Sequence, residues 1–403
     1  MTTASATPAG AHATTVVSSS PMGARLPRSH ASVRRSDVLA IAGSLAAAFS
    51  ATGLVFRFLA PFSGPIGYVI VSYAVFLVLY LLVVSLDEPR PTVVDRCVGA
   101  LAHSLALLVF CALLLVLAFT ALRGARALSH SNFFTQDMRH AGPLDPLTVG
   151  GIVHAALGTL IMTGIALAIT IPLGVCCAVF LTEFPGRFSR FVRTIVEAMT
   201  ALPSIVAGLF IYATWILTFH RERSGFAAAL ALSVMMLPII IRSSDVVIRL
   251  VPSTLKEASY ALGTGQWRTV WHVVLPTVRS GLVTAVILGT ARGIGETSPV
   301  LLTAGFTAGT NVNPLHQPMI SLPLATFQFV KSSEPNVIAR GFGSAVVLFA
   351  MVLVLFVVAR VIGGREAGQL SGRQQRAAAR RSRRDRQRID PEFPSRQRVP
   401  RAG

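Results

Sequence analysis

Apolar runs of about 20 residues, each long enough to cross a bilayer as a helix, decide what this chain can fold into. Runs of this kind stand at 38–60, 66–86, 98–122, 152–182, 195–219, 226–248, 281–303 and 342–362. The residues are 53% hydrophobic and 13% charged, against about 25% charge in a soluble globular protein. The expected fold class is therefore all-α: a polytopic membrane protein with about eight transmembrane helices. Pro172 predicts a kink in the fourth run, and Pro203 and Pro238 lie inside the fifth and sixth.

Charge sets the expected topology. The formal net charge is +19, much of it in the C-terminal tail. Arg25, Arg28, Arg34 and Arg35 precede the first run, and Arg187, Arg190 and Arg193 follow the fourth. With eight spans these arginines, the 249–280 loop and the tail share one side. The positive-inside rule makes that side the cytoplasm, with both termini in it. Residues 1–37, rich in Ala, Ser, Thr and Arg, read as a disordered cytoplasmic tail without a cleavable signal peptide. Residues 38–97 read as a separate transmembrane hairpin, 98–362 as the main membrane domain and 363–403 as a basic cytoplasmic tail. Its cluster Arg380, Arg381, Arg383, Arg384, Arg386 and Arg388 fits anionic lipid heads better than nucleic acid, since it lies beside a last span.

Several chemistries have no residues to stand on. Cys97, Cys111, Cys176 and Cys177 lie in or beside apolar runs, without zinc or redox spacing. Neither Lys256 nor Lys331, the two lysines of the chain, follows a glycine as a phosphate-binding loop requires. None of the nine histidines sits in a metal motif; His103 and His154, isolated on apolar runs, read as packed side chains. No metal, cofactor or enzymatic activity is expected of the chain itself.

One stretch between apolar runs does not belong in lipid. Residues 249–276, RLVPSTLKEASYALGTGQWRTVWHVVLP, carry Arg249, Lys256, Glu257, Arg268 and His272, too many charges for a spanning helix. Two short helices are predicted: one capped by Ser253 and ended by Gly263 and Gly265, the other with an apolar face of Trp267, Val270, Trp271, Val274 and Leu275, closed by Pro276. Glu257-Ala258-Ser259 is followed after three residues by Gly263, and after nine more by Val273, one residue, then Leu275-Pro276. This spacing resembles the cytoplasmic loop of membrane permeases in bacterial ABC importers, where EAA, three residues, G, nine residues, I, one residue, LP is the pattern. Ser259 stands for the third alanine and Val273 for the isoleucine. The resemblance implies that the loop docks on a separate ABC ATPase dimer through Glu257, Ala258, Ser259, Gly263, Leu275 and Pro276.

Charges also occur inside the seventh run, GTARGIGETSPVLLTAG (289–305). Arg292 and Glu296 are four apart, which predicts one helical face. A charge at mid-bilayer costs about 2.5–3.5 kcal/mol on insertion scales, so such residues face protein or a watery path. Gly289, Gly293 and Gly295 would admit a neighbouring helix; Thr297 and Ser298 add hydroxyls. The alternative is a structural ion pair that never meets cargo. Arg242, in MMLPIIIRSSDVV, is a second pathway candidate; the alternative is an interfacial arginine paired with Asp245.

ARxxGETxP after such a loop, with LPIIIR around Arg242 and LPSIVAGLF at 202–210, resembles the A-type permease subunit of phosphate-specific ABC importers over about residues 150–362. The resemblance implies ATP-driven phosphate import with a sister permease subunit, an ATPase dimer that uses the ATP, and an extracytoplasmic phosphate-binding protein, in a bacterial cell membrane. It implies pathway roles for Arg292, Glu296 and Arg242, beside Thr297. The first two spans and the long tails are extra to the usual six-span subunit. The rival readings are a permease for another oxyanion, sulfate or molybdate, and a non-transporting membrane scaffold or sensor.

Overall fold

The computed structural model describes residues 35–58, 65–363, 380 and 382. The predicted N-terminal tail, the turn at 59–64 and nearly all of the basic tail lie outside the described residues. The chain divides into two compact units, residues 1–112 and 113–403.

In the first unit, α1 (Arg35–Phe58) and α2 (Pro65–Asp87) pair as an antiparallel hairpin. Small groups are buried in this hairpin, Ser44, Ala48, Thr52 and Ser72 among them, which lets two apolar helices approach closely. Tyr68 donates to the Phe49 carbonyl at 3.0 Å and packs edge-on to Phe56. The hydroxyls of Tyr73 and Ser104 join α2 to the first part of α3 (Arg90–Leu128). That helix is longer than its apolar run at 98–122. Hydropathy ends where charge begins, but helix formation does not: Pro91 sits in the first turn, where it costs no hydrogen bond. Thirty-nine residues span about 58 Å, so the charged ends project beyond a hydrocarbon layer of about 30 Å.

The second unit is built around α8 (Gly225–Arg249), the most enclosed of the long helices. Ser224 caps it by accepting from the Ala227 amide at 3.3 Å. Ala227, Ala228, Ala229 and Ala231 are fully buried, and their small side chains bring neighbours close on every face. α5 (Val153–Glu183) lies along it, so closely that a Cβ added at Gly174 would sit 2.7 Å from Ile240 Cγ2. The helix runs on through Pro172.

The fifth predicted span, 195–219, is not one helix. α6 (Arg187–Thr200) is amphipathic, and α7 (Ser204–Ile211), continued to Thr218 by wider π turns, leaves it at 106°. The break falls where Pro203 takes extended dihedrals (φ −61, ψ 139), and proline also disfavours helix in the residue before it. The seventh run is broken as well, into α12 (Arg279–Ile294) and α13 (Ser298–Thr303).

Between α13 and the last long helix, α14 (Leu322–Val330) enters the core as a short helix and turns back into α15 (Pro335–Gly363). Met319, Ile320, Leu322 and Leu324 are among its most buried side chains. The Thr159 hydroxyl accepts the Leu322 amide at 2.7 Å, so the entry to this helix leaves no orphan donor. α15 starts well before its apolar run because Arg340 is buried in protein, donating through Nη2 to the carbonyls of Pro146 and Val149 at 2.8 Å. The loop it holds, 129–151, includes the short helix α4 (Asn132–Thr135). Asp137 ties this loop to 305–318 by accepting the Thr310 amide at 2.9 Å. Burial alone would raise its carboxyl pKa. The amides of Thr310 and Arg139 outweigh that and hold it below the usual carboxylate range.

Among the described residues six helices are long and apolar enough to span a membrane, or up to eight elements if each bent pair counts as one span. No strand occurs among them. The chain is an all-α, multi-pass membrane protein.

Candidate functional site: a charged helix break and a water-side loop

Close packing flanks the break in the seventh run on both sides. α12 lies against α8 through Gly289 and Gly293: a Cβ on the first would meet Ile240 Cγ1 at 2.5 Å, and one on the second would run into Met236 Sδ. Gly208 of α7 does the same for α13, with Pro299 Cα 2.7 Å from the position of its missing Cβ. The predicted role of the glycines in admitting neighbours thus holds at 289 and 293. Gly295 has no comparable crowding; it caps the C-terminus of α12.

Arg292 and Glu296 do meet, Nη2 to Oε1, at 3.2 Å. They do not share a helix. The α-helix ends at Ile294, Glu296 lies in the connection, and Thr297 holds the N-cap position of α13 without a side-chain cap bond. Pro299 forces this, since it cannot extend α12 and fits the first turn of a new helix. The Glu296 side chain is 11% exposed and that of Arg292 58%. One partner is fixed in the fold, and the other reaches out of it with spare guanidinium donors, a form suited to a tetrahedral oxyanion.

Arg242 is not brought to this pair. It is exposed on α8, and its predicted alternative, pairing with Asp245, is overturned. Three other groups occupy that carboxylate: Arg193 Nη1 at 2.7 Å, the Thr182 hydroxyl at 2.9 Å and Arg249 Nε at 3.2 Å. The Asp245 side chain is 8% exposed, so the cluster locks α6 to the C-terminal ends of α5 and α8. The sequence hint was a lone acid within an apolar run, opposite a loop arginine.

The loop at 253–277 forms at the same end. α9 (Ser253–Ala261) starts on the predicted cap residue itself: Pro252 is the N-cap, with extended ψ of 136, and Ser253 is already helical. Gly263 ends the turn at φ +78, a left-handed conformation suited to glycine. Gly263→Ala is expected to cost about 1 kcal/mol, read as a lower melting temperature of the purified chain in detergent. The Cβ has open space there, so the cost is conformational.

α10 (Gln266–Thr269) continues in π turns over Val270–Val274 into α11 (Leu275–Thr277). Pro276 does not close it; the chain bends at Val278, by 73°, into α12. The predicted apolar face divides. Val270 and Val274 are buried against Ala178, Val179 and Ile248, while Trp267 and Trp271 stay 62% and 64% exposed. Ser259, in place of an alanine, is buried and shares hydrogen bonds with the hydroxyls of Thr264 (2.6 Å) and Thr269 (2.9 Å), so the departure is satisfied internally. Glu183, at the end of α5, accepts Lys256 Nζ at 2.5 Å by its side chain and Gln266 Nε2 at 2.9 Å by its carbonyl. Glu257, Ala258, Gly263 and Pro276 remain on the exposed surface, and Leu275 is partly buried.

Residues 170–365 match the family model described as binding-protein-dependent transport system inner membrane component. The phosphate transport system permease protein PstA 1 of Mycobacterium tuberculosis (strain CDC 1551 / Oshkosh) is 39% identical over 241 residues, 60% of this chain and 79% of that protein. PstA of Mycobacterium leprae (strain TN) is 37% identical over 59% of this chain and 78% of its own length. PstA of Xylella fastidiosa (strain Temecula1 / ATCC 700964) is 35% identical over 54% and 76%. This chain belongs to the inner-membrane permease family of binding-protein-dependent transport systems, in the group that holds the phosphate transport permeases.

Proposed function

We propose that this chain is the A-type membrane subunit of an ATP-driven importer of inorganic phosphate. It forms the translocation path with a sister permease subunit. ATP is hydrolysed by a separate ABC ATPase dimer docked on the 253–277 loop, and an extracytoplasmic phosphate-binding protein delivers cargo to the loops at the other end. Both termini lie in the cytoplasm, on the loop's side. Arg292 binds the anion in passage, Glu296 holds that arginine when the path is empty, and Thr297 supplies a hydroxyl at the break. Arg242 lines the same path. Residues 38–97 are an added hairpin before the permease core, and the basic tail rests on anionic lipid heads.

The observation that carries this reading is the Arg292–Glu296 pair at the helix break, in a chain 35–39% identical to phosphate transport permeases over more than three quarters of their lengths. A guanidinium keeps its charge at any physiological pH and matches an oxyanion with parallel donors. Labelled phosphate uptake by the assembled importer, measured against excess sulfate or molybdate, tests the cargo. Unchanged uptake is expected. Uptake suppressed by either competitor would transfer the assignment to another oxyanion.

A further inference from the structure

Three guanidiniums gather at the N-terminal end of α15, away from the docking loop, and none has a carboxylate within 4.0 Å among the described residues. Here α3 crosses α15 at Gly124, where a Cβ would sit 2.8 Å from Gly343 N. Phe119 packs edge-on to Phe342 beside the crossing. Beyond it the helices diverge around a pocket of about 440 Å³, lined by Leu122, Arg123 and Arg126 of α3 and by Pro335, Ile338 and Ala339 of α15. Arg123 lies over the Phe119 ring at 5.4 Å.

The third guanidinium is Arg340, next in sequence to the lining residue Ala339. It is 1% exposed, and its Nε and Nη1 have no hydrogen-bond partner. A buried charge whose partners are only carbonyls is costly unless a counter-charge lies near. Asp145 offers its backbone carbonyl to Arg340 at 3.5 Å, and its carboxylate, which accepts the Gly142 amide at 2.7 Å, supplies a counter-charge at longer range. Glu334, one residue before Pro335, forms no ion pair among the described residues. Positive charge is thus in excess around a cavity large enough for a ligand.

We propose that this pocket binds a phosphate group, held by Arg123 and Arg126. Paired guanidiniums suit phosphate oxygens. Leu122, Ile338 and Ala339 supply an apolar wall beside them, which favours the headgroup of a membrane phospholipid over free inorganic phosphate. The site is separate from Arg292–Glu296 and does not depend on the transport reading.

The test uses the full chain, purified in detergent and mixed with phosphatidylglycerol, with native mass spectrometry counting retained lipid. Arg123→Gln with Arg126→Gln is compared with wild type and with Arg221→Gln, an exposed arginine elsewhere. Retention is expected to fall about tenfold in the double variant and to be unchanged in R221Q. Arg123→Lys with Arg126→Lys, which keeps the charges, should fall between them, and this covers the case where the glutamine pair does not fold. A second arm replaces lipid by labelled inorganic phosphate. Binding there that is lost in the double variant, without lipid retention, would keep the site and assign it the free anion. Equal binding of both probes by wild type and both double variants, or by none of them, would overturn the proposal.

Discussion

Asp245→Ala is expected to destabilise the second unit by about 3 kcal/mol, because it leaves Arg193 without its partner at a half-buried site. The carboxylate accepts from three elements at once: Thr182 of α5, Arg193 of α6 and Arg249 of its own helix. Arg249 is 52% exposed, so its share is screened and small. Arg193, at 2.7 Å and 32% exposed, carries most of the effect. Asp245→Asn keeps the shape and can still accept from Thr182, and should lose less. Thermal unfolding in detergent would show the order wild type, Asn, Ala. Equal melting temperatures for wild type and Asp245→Ala would mean that the cluster contributes no net stability.

The second large effect concerns transport. Arg292→Ala should lower phosphate uptake by about 10- to 100-fold, the range given by loss of a hydrogen bond to a charged group of about 1.5–3 kcal/mol. Glu296→Gln should also lower uptake, since it removes the counter-charge for the empty state. If the carboxylate acts by holding Arg292, the double variant should be no worse than Arg292→Ala alone, a non-additive result. Fully additive losses would show that the two residues act separately. Their contact at 3.2 Å is close enough for coupling to be measurable.

The pair was legible in the sequence because charge in an apolar run is conspicuous, and so was the all-α class. The break that places the pair was not. Periodicity treats 281–303 as one apolar run, whereas Gly295 and Pro299 together end one helix and begin another. The same kind of break at Pro203 turned one predicted span into two helices at 106°. The loop motif marked its own surface residues, but its anchor, Glu183, lies 73 residues before Lys256, a pairing that no local pattern reveals. Arg340 stands just outside the apolar run at 342–362, where hydropathy gives no sign of burial. Its burial follows from the 145–149 carbonyls folding over it, which is a tertiary fact.

Phosphate is proposed to cross the membrane by way of Arg292. Labelled-phosphate uptake tests it most directly, in cells lacking their own phosphate permease subunit and expressing this chain with its cognate partners. Uptake that appears with the wild-type chain, and falls at least about tenfold with Arg292→Ala while the complex is recovered intact, is the predicted result. Uptake equal in the two would remove Arg292 from the path. An intact complex that hydrolyses ATP without moving phosphate would contradict the assigned cargo.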